Sequence, residues 1–161
     1  MMFKTHLAFG ILLALLTFNY FDNINKYLFV LITVVSAIFL DIDEENSFIG
    51  RRTKPLSSLI NTMFKHRGFI HSFLFISIIS ILIWFFSGNY YIPFLIGTLG
   101  HLFLDSLTVA GVRILYPLKF RTRFVFKTGS IFDLSLFLII ILGILVLYLT
   151  NFKESLLNYI L

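Results

Sequence analysis

His101 and Asp105 lie four residues apart in an otherwise apolar stretch that runs from Gly97 to Pro117. In a helix, this spacing places both side chains on one face. Ionisable side chains are costly within a membrane-length segment, so they persist mainly where they pair, bind an ion or line a site. Imidazole and carboxylate are both ligands of divalent metals. The pair therefore predicts metal binding, with a hydrogen-bonded structural pair or a proton relay as the alternatives.

Other histidines and aspartates of the chain fall near the ends of apolar runs and could reach this pair. Asp41 and His71 could complete the coordination of the ion held by His101 and Asp105, and His6 could hold a second ion with Asp105 as a shared ligand. Two ions about 3.5–4 Å apart can activate water and stabilise the charge that develops in phosphoester cleavage. Asp41 could instead be a solvated helix end, and His6 an interfacial residue. The predicted metal ligands are His6, Asp41, His71, His101 and Asp105.

Further residues are candidates for roles in catalysis. Asp43 or Asp41 would orient or deprotonate the attacking water. Arg67 would hold a phosphate, because guanidinium binds such groups bidentately, although a basic interfacial residue is an equal alternative. His66 lies five residues before His71, a poor spacing for one helix face, so it could be a general acid, a second ligand or a substrate contact. The predicted catalytic residues are Asp41, Asp43, His66 and Arg67.

The composition is that of a polytopic membrane protein. Of the 161 residues, 58% are hydrophobic and 13% are charged, and the mean hydropathy is +0.95. A soluble domain has an apolar share of about 45–50%. The length predicts one domain, residues 1–161. Cysteine is absent, so a transition metal would have to use His, Asp and Glu.

Five apolar runs predict an all-α bundle of about five transmembrane helices, at about 7–20, 27–40, 70–86, 92–109 and 131–150. A short amphipathic helix around 56–64 is expected at the membrane interface. The first run lacks a small-residue cleavage site, which predicts a retained helix and no signal peptide. Gly97 and Gly100 would let a neighbouring helix approach His101 closely.

The basic residues predict the orientation of this bundle. Eleven of the thirteen belong to the N-terminus and to the two loops on its side of the membrane: Lys4, Arg51, Arg52, Lys54, Lys65, Arg67, Arg113, Lys119, Arg121, Arg123 and Lys127. The positive-inside rule makes this side, with the N-terminus and the predicted site, cytoplasmic and leaves the C-terminus outside. The net charge of +5 is explained by topology and anionic lipid head groups, so no nucleic-acid partner is expected.

Several short blocks of the chain carry a family resemblance. They are Leu40-Asp41-Ile42-Asp43, Ser47, Gly50-Arg51, the H-R-G-F-I-H-S block from His66 to Ser72, and Gly97 to Pro117. In this order they resemble the motifs of the YdjM-like membrane-bound metal-dependent hydrolases, over His6 to about Asp133. That family is distantly similar to zinc-dependent phospholipases C and related single-strand nucleases. The resemblance implies a helical fold with a zinc cluster that cleaves phosphoester bonds.

The resemblance also implies which residues and ions take part. It puts His6, Asp41, His71, His101 and Asp105 in ligand positions. The soluble relatives hold a third metal with His and Glu residues that this chain lacks, so one or two divalent ions are expected, zinc first and manganese as an option. The chain departs from the family pattern at Leu40, where Pro is common, at Ile70, where Thr is common, and at Asp133, where Glu is more frequent.

Together these observations predict an integral membrane protein of a bacterial or archaeal cell membrane. The expected function is metal-dependent hydrolysis of a phosphoester in a membrane lipid or lipid-linked substrate, at the cytoplasmic face. A metal-ion or proton transporter using the same His/Asp cluster is the alternative, and a structural membrane protein with a closed metal site is the third. Transporters often show repeated halves and a midplane site, so the absence of an internal repeat favours the hydrolase.

Overall fold

The fold is a bundle of helices. The computed structural model describes residues 1–64 and 67–160, with side chains for 1–63 and 67–151. Its α-helices are α1 (Phe3–Thr17), α2 (Lys26–Phe39), α3 (Lys54–Phe64), α4 (Phe73–Ser87), α5 (Tyr91–Ser106) and α6 (Ile131–Ile160), with short 3-10 turns at Phe18–Tyr20, Leu40–Asp43 and Gly88–Tyr90. Within the described ranges, β pairing is limited to isolated bridges. The predicted all-α fold is confirmed.

Three helical stretches are long and apolar enough to cross a membrane. They are Phe3–Tyr20, Phe73–Ser106 and Ile131–Asn151, with 18, 34 and 21 residues. The second contains α4 and α5, which the Gly88–Tyr90 turn separates. Helix α2 has 14 residues, fewer than the roughly 20 that a span needs. The count of five spans therefore stays a prediction. Helix α3 forms where the interfacial helix was predicted, and its position at the interface stays a prediction too.

Helices α1, α2 and α5 pack closely because small residues face one another. A Cβ added at Gly97 of α5 would collide with the Ser36 side chain and with the main chain of α2 at Thr33. A Cβ added at Gly10 of α1 would collide with that of Ala37 in α2. The close approach predicted for Gly97 is thus confirmed. This close packing brings α1, α2 and α5 together around His101.

The outer helices present apolar side chains outward. Phe86 of α4 is 77% exposed and Ile139 of α6 is 65% exposed. Such surfaces are costly in water and suit a hydrocarbon solvent. Within the bundle, buried hydroxyl groups such as those of Thr33 and Thr98 donate to the carbonyl one turn earlier, at 2.9 and 2.8 Å. They need no water to be satisfied.

Asp133 ties the start of α6 to the start of α1. Its Oδ1 accepts from Oγ1 of Thr5 at 2.7 Å, and its Oδ2 accepts from the main-chain N–H groups of Met2 and Gly129 at 3.1 and 2.9 Å. The carboxylate is 1% exposed. These contacts account for Asp133 as a structural residue that fixes the entry of the helix carrying His6.

Candidate metal centre

The predicted ligands converge at one end of the bundle. His6 comes from α1, Asp41 from the turn after α2, His71 from the residue pair before α4, and both His101 and Asp105 from α5. All but Asp41 are buried, and its side chain is 14% exposed. Of the predicted catalytic residues, Asp43 and Arg67 lie beside this cluster, and His66 lies outside the described residues.

Two imidazoles face each other across the centre. Nε2 of His71 lies 3.1 Å from Nε2 of His101. Nδ1 of His101 lies 2.7 Å from the carbonyl oxygen of Ala37, and Nδ1 of His71 lies 3.0 Å from Oδ2 of Asp43. Each Nδ1 must donate, because a carbonyl and an ionised carboxylate only accept. Both neutral rings would then point an Nε2 lone pair at the other, an arrangement that is stable only with a proton or a metal ion between them.

The distances between these donor atoms fit a metal ion. With bonds of about 2.0–2.1 Å, two nitrogens on a tetrahedral zinc lie about 3.3 Å apart, close to the observed 3.1 Å. Oδ2 of Asp105 lies 3.7 Å from Nε2 of His101 and 3.8 Å from Nε2 of His71. No well-formed hydrogen bond reaches this buried oxygen from the described residues, although Nε of Arg67 lies 3.2 Å from it. A carboxylate oxygen at this distance from both imidazoles is a suitable third ligand.

Asp105 also reaches the second group of ligands. Its Oδ1 lies 3.3 Å from Nε2 of His6, whose ring stacks on that of His101 with centroids 3.9 Å apart. The ligands form two groups, and within each group the donor atoms lie close enough to bind one ion. One group is His71, His101 and Asp105, and the other is His6, Asp41 and His101. The nitrogen of Met1 lies 2.6 Å from Asp105 Oδ1 and 3.2 Å from His6 Nε2. The arrangement can serve one ion or two.

Arg67 and Asp43 hold the predicted ligands in place through hydrogen bonds. Arg67 has a positive φ of 57°, an uncommon conformation for a residue with a Cβ. Its main-chain N–H donates to Oδ2 of Asp43 at 3.2 Å, and its Nη2 donates to Oδ1 of Asp105 at 3.2 Å. Its Nη1 donates to Oγ1 of Thr108 at 3.0 Å. The guanidinium is therefore fixed next to the carboxylate that both ligand groups approach.

A polar pocket of about 230 Å³ opens onto the cluster. Asp41 and Arg67 line this pocket together with Ser47, Phe48 and Thr128. Two larger cavities, of about 380 and 440 Å³, lie along the helices, are lined mostly by apolar side chains and include none of the predicted ligands. Of these three cavities, the polar pocket is the one that reaches the cluster.

Local structure explains why the ligands stand where they do. The Ser72 side chain caps α4 by accepting from the N–H of Phe75 at 3.2 Å, which holds His71 just before the first turn. Ala37 lies within the last four residues of α2, whose carbonyls lack helical partners, so its oxygen is available to His101. Sequence reasoning missed Ala37 and Thr108. Only the threonine left a signal, through its place in the block around His101.

The geometry defines a helical integral membrane protein with a buried cluster of histidines and aspartates at one end of the bundle. The family model described as YdjM inner membrane protein matches residues 1–160. The chain belongs to the YdjM inner membrane protein family, which confirms the family part of the resemblance. The metal-dependent hydrolase activity remains a prediction.

Two relatives illustrate the similarity. The chain is 36% identical to the uncharacterized protein YvsG of Bacillus subtilis (strain 168) over 136 residues, which cover 79% of this chain and 81% of YvsG. It is 35% identical to the inner membrane protein YdjM of Escherichia coli (strain K12) over 99 residues, which cover 56% of this chain and 50% of that protein. No solved structure matches the chain.

Proposed function

We propose that this protein is a membrane-embedded metal-dependent hydrolase that cleaves a phosphoester of a lipid or lipid-linked substrate. One or two divalent ions, zinc or manganese, would be held by His6, Asp41, His71, His101 and Asp105. Such an ion supplies Lewis-acid activation of water and polarisation of a phosphoryl oxygen. The site lies at the basic end of the bundle, which the positive-inside rule assigns to the cytoplasmic face.

The observation that carries the proposal is the pair of facing Nε2 atoms of His71 and His101, 3.1 Å apart, with both Nδ1 atoms engaged elsewhere. An ordinary buried histidine pair would donate from one ring to the other and would not hold both rings in the same tautomer. Oδ2 of Asp105 lies 3.7 and 3.8 Å from the two Nε2 atoms, which supports the same interpretation. These features favour a metal centre over a structural hydrogen-bond network.

The remaining residues suit cleavage of a phosphoester. Asp41 reaches the polar pocket and can accept a proton from a water there. Arg67 lines the same pocket and carries a fixed positive charge that would offset charge developing on phosphate oxygens. Asp43 has both named contacts on its Oδ2, from His71 and from the Arg67 main chain, so it orients the ligand and the arginine. This gives Asp43 a positioning role in place of contact with water.

The test uses the full chain in detergent, loaded with zinc or manganese and presented with a panel of phospholipids and lipid-linked phosphates. We expect release of phosphate or of an alcohol from at least one of them. His101→Ala should lose the bound metal by elemental analysis. Arg67→Ala should keep the metal and lose activity about 10²–10³-fold, the usual loss for one charge-stabilising donor.

Lys26→Ala is the matched control, since Lys26 is a basic residue at the opposite end of the bundle. It should leave both metal content and turnover unchanged. Full metal occupancy in His101→Ala would refute the ligand assignment. Absence of turnover on every substrate, combined with metal uptake into vesicles, would contradict the hydrolase and indicate the transporter.

A further inference from the structure

The segment between α5 and α6 forms a hairpin that the proposed hydrolysis does not use. We call residues 107–127 the basic hairpin. Its two arms pair through Val112 and Thr122, whose N–H and carbonyl groups exchange hydrogen bonds of 2.9 and 3.0 Å, and through the N–H of Phe126, which donates to Leu107 at 3.1 Å. The hairpin is thus a defined element with two faces.

One face of the hairpin is basic. In extended chain, successive side chains alternate between faces, which places Arg121 and Arg123, on either side of the bridged Thr122, on one side of the hairpin. Arg121 and Arg123 pack over Gly111, where a Cβ would collide with both side chains. Gly111 has a φ of 62°, a conformation that glycine adopts without strain. The turn therefore places the first carbons of both arginine side chains against one stretch of main chain.

These arginines have no acidic partner among the described residues. Arg121 donates from Nη1 to the carbonyl of Ala110 at 2.8 Å, and the buried Nε of Arg113 has no hydrogen-bond acceptor. Partial burial lowers the pKa of Arg121, and the nearby charges of Arg113, Arg67 and Arg123 lower that pKa further. Positive charges gathered in this way repel one another, and an anion between them would stabilise the hairpin.

The other face of the hairpin is aromatic and exposed. Phe120 is 62% exposed and Phe124 is 59% exposed. The hairpin connects two helical stretches that are long enough to span a membrane, Phe73–Ser106 and Ile131–Asn151, so it lies where both leave the hydrocarbon. Aromatic side chains favour the boundary between acyl chains and head groups, and basic residues next to it meet anionic lipid.

We infer that the basic hairpin is a binding site for an anionic membrane lipid. Arg113, Arg121 and Arg123 would contact the phosphate of the head group, while Phe120 and Phe124 lie among the upper acyl chains. Guanidinium groups suit this ligand because they bind phosphate oxygens bidentately. A single-stranded nucleic acid would use similar residues, with bases stacked on the phenylalanines. The direct attachment to two apolar helices favours the lipid.

The experiment measures thermal unfolding of the full chain in a zwitterionic detergent with added phosphatidylglycerol or phosphatidylcholine. A ligand that binds the folded protein stabilises it by RT ln(1 + L/Kd) at a free ligand concentration L, so the rise in Tm with ligand concentration reports the apparent affinity. We expect phosphatidylglycerol to raise Tm well above phosphatidylcholine, and the difference to shrink with added salt. For Arg121→Gln/Arg123→Gln, the apparent affinity for phosphatidylglycerol should fall about 25-fold, since each basic residue near an anionic surface contributes about fivefold.

Two variants act as controls. Lys26→Gln removes a basic residue from the other end of the bundle and should keep the full effect of phosphatidylglycerol. Arg121→Lys/Arg123→Lys keeps the charge but loses the bidentate geometry, so it should fold normally and recover only part of the affinity. Equal effects of the two lipids, or an unchanged effect in the glutamine variant, would overturn the inference. So would an equal rise in Tm with inorganic phosphate alone, or displacement of phosphatidylglycerol by oligothymidylate.

Discussion

Asp43 orients a residue of the candidate metal centre although it is not itself among the predicted ligands. Its Oδ2 lies 3.0 Å from Nδ1 of His71, which fixes the tautomer of that ring and turns Nε2 toward His101. Partners of this kind also raise the basicity of the ligating nitrogen. The second contact is donated by the main-chain N–H of Arg67, and it holds the main chain at Arg67 against the same carboxylate.

We therefore predict that Asp43→Ala weakens metal binding about 10–100-fold while every ligand is retained, as is usual when the partner of a metal-bound imidazole is removed. The measurement is a zinc titration of the purified protein against a competing chelator. Asp43→Asn should lose less, because the amide oxygen can still accept from Nδ1. Asp22→Ala, an exposed carboxylate in the α1–α2 turn, is the control. Unchanged affinity in Asp43→Ala would show that the ring needs no support.

Residue type predicted the members of the site whose chemistry resides in their side chains. His101 and Asp105 were predicted because a histidine and an aspartate are unusual in apolar surroundings. The carbonyl of Ala37 carries no such signal, because every residue has one and only the end of α2 leaves this one available. The left-handed conformation of Arg67 was equally unpredictable, since arginine has no preference for it.

At the level of elements, the distance between α2 and α5 depends on glycine. Gly97 lies one turn before His101 and faces Thr33 and Ser36. The absence of a side chain brings α2 close enough for the Ala37 carbonyl to lie 2.7 Å from Nδ1 of His101. Helix packing and ligand orientation are therefore coupled through this one position.

We predict that Gly97→Ala destabilises the protein by about 1–3 kcal/mol, the usual cost of overpacking a close contact, and also weakens metal binding. The measurement is thermal unfolding in detergent together with the zinc titration. Gly143→Ala in α6 is the matched control, because its Cβ would meet only the Leu12 side chain at an ordinary 3.8 Å. That variant should be neutral or slightly stabilised. Equal behaviour of the two variants would contradict the role of Gly97.

The apolar runs predicted where helices form but less well where they end. The first apolar run was predicted at about 7–20, with an extension that could include His6, and the helix does begin earlier, at Phe3, and includes His6. Helix α5, which corresponds to the fourth predicted span, ends at Ser106 instead of near residue 109. The chain turns at Thr108, whose Oγ1 donates to the carbonyl oxygen of Asp105 at 2.8 Å. Hydrophobicity does not mark such ends, since they depend on hydrogen bonds made by the following turn.

For the whole molecule, contacts between distant segments place the described site residues at one end of the bundle. His6 stacks on His101, Arg67 pairs with Asp105, and Asp133 bonds to Thr5. In the predicted topology, eleven of the thirteen basic residues belong to the same side of the membrane as these residues. The distribution of basic residues sets the orientation of a membrane protein. Finding which side of the membrane one loop faces would therefore also show which side the site faces.

The prediction is that this end faces the cytoplasm. Because the chain has no cysteine, single cysteines can be introduced without removing others. A membrane-impermeant maleimide added to intact cells should label Asn23→Cys and Asn89→Cys, in the exposed turns opposite the site, and Asn151→Cys near the end of α6. It should label Asn46→Cys and Lys119→Cys only after permeabilisation.

This pattern tests the number of spans and the orientation separately. Labelling of Asn23→Cys from outside, together with protection of Asn46→Cys, requires α2 to reach across the membrane despite its 14 residues. The reverse pattern would place the site on the outer face, where a cytoplasmic substrate cannot reach it. Labelling of Asn46→Cys together with Asn23→Cys in intact cells would mean that α2 does not cross.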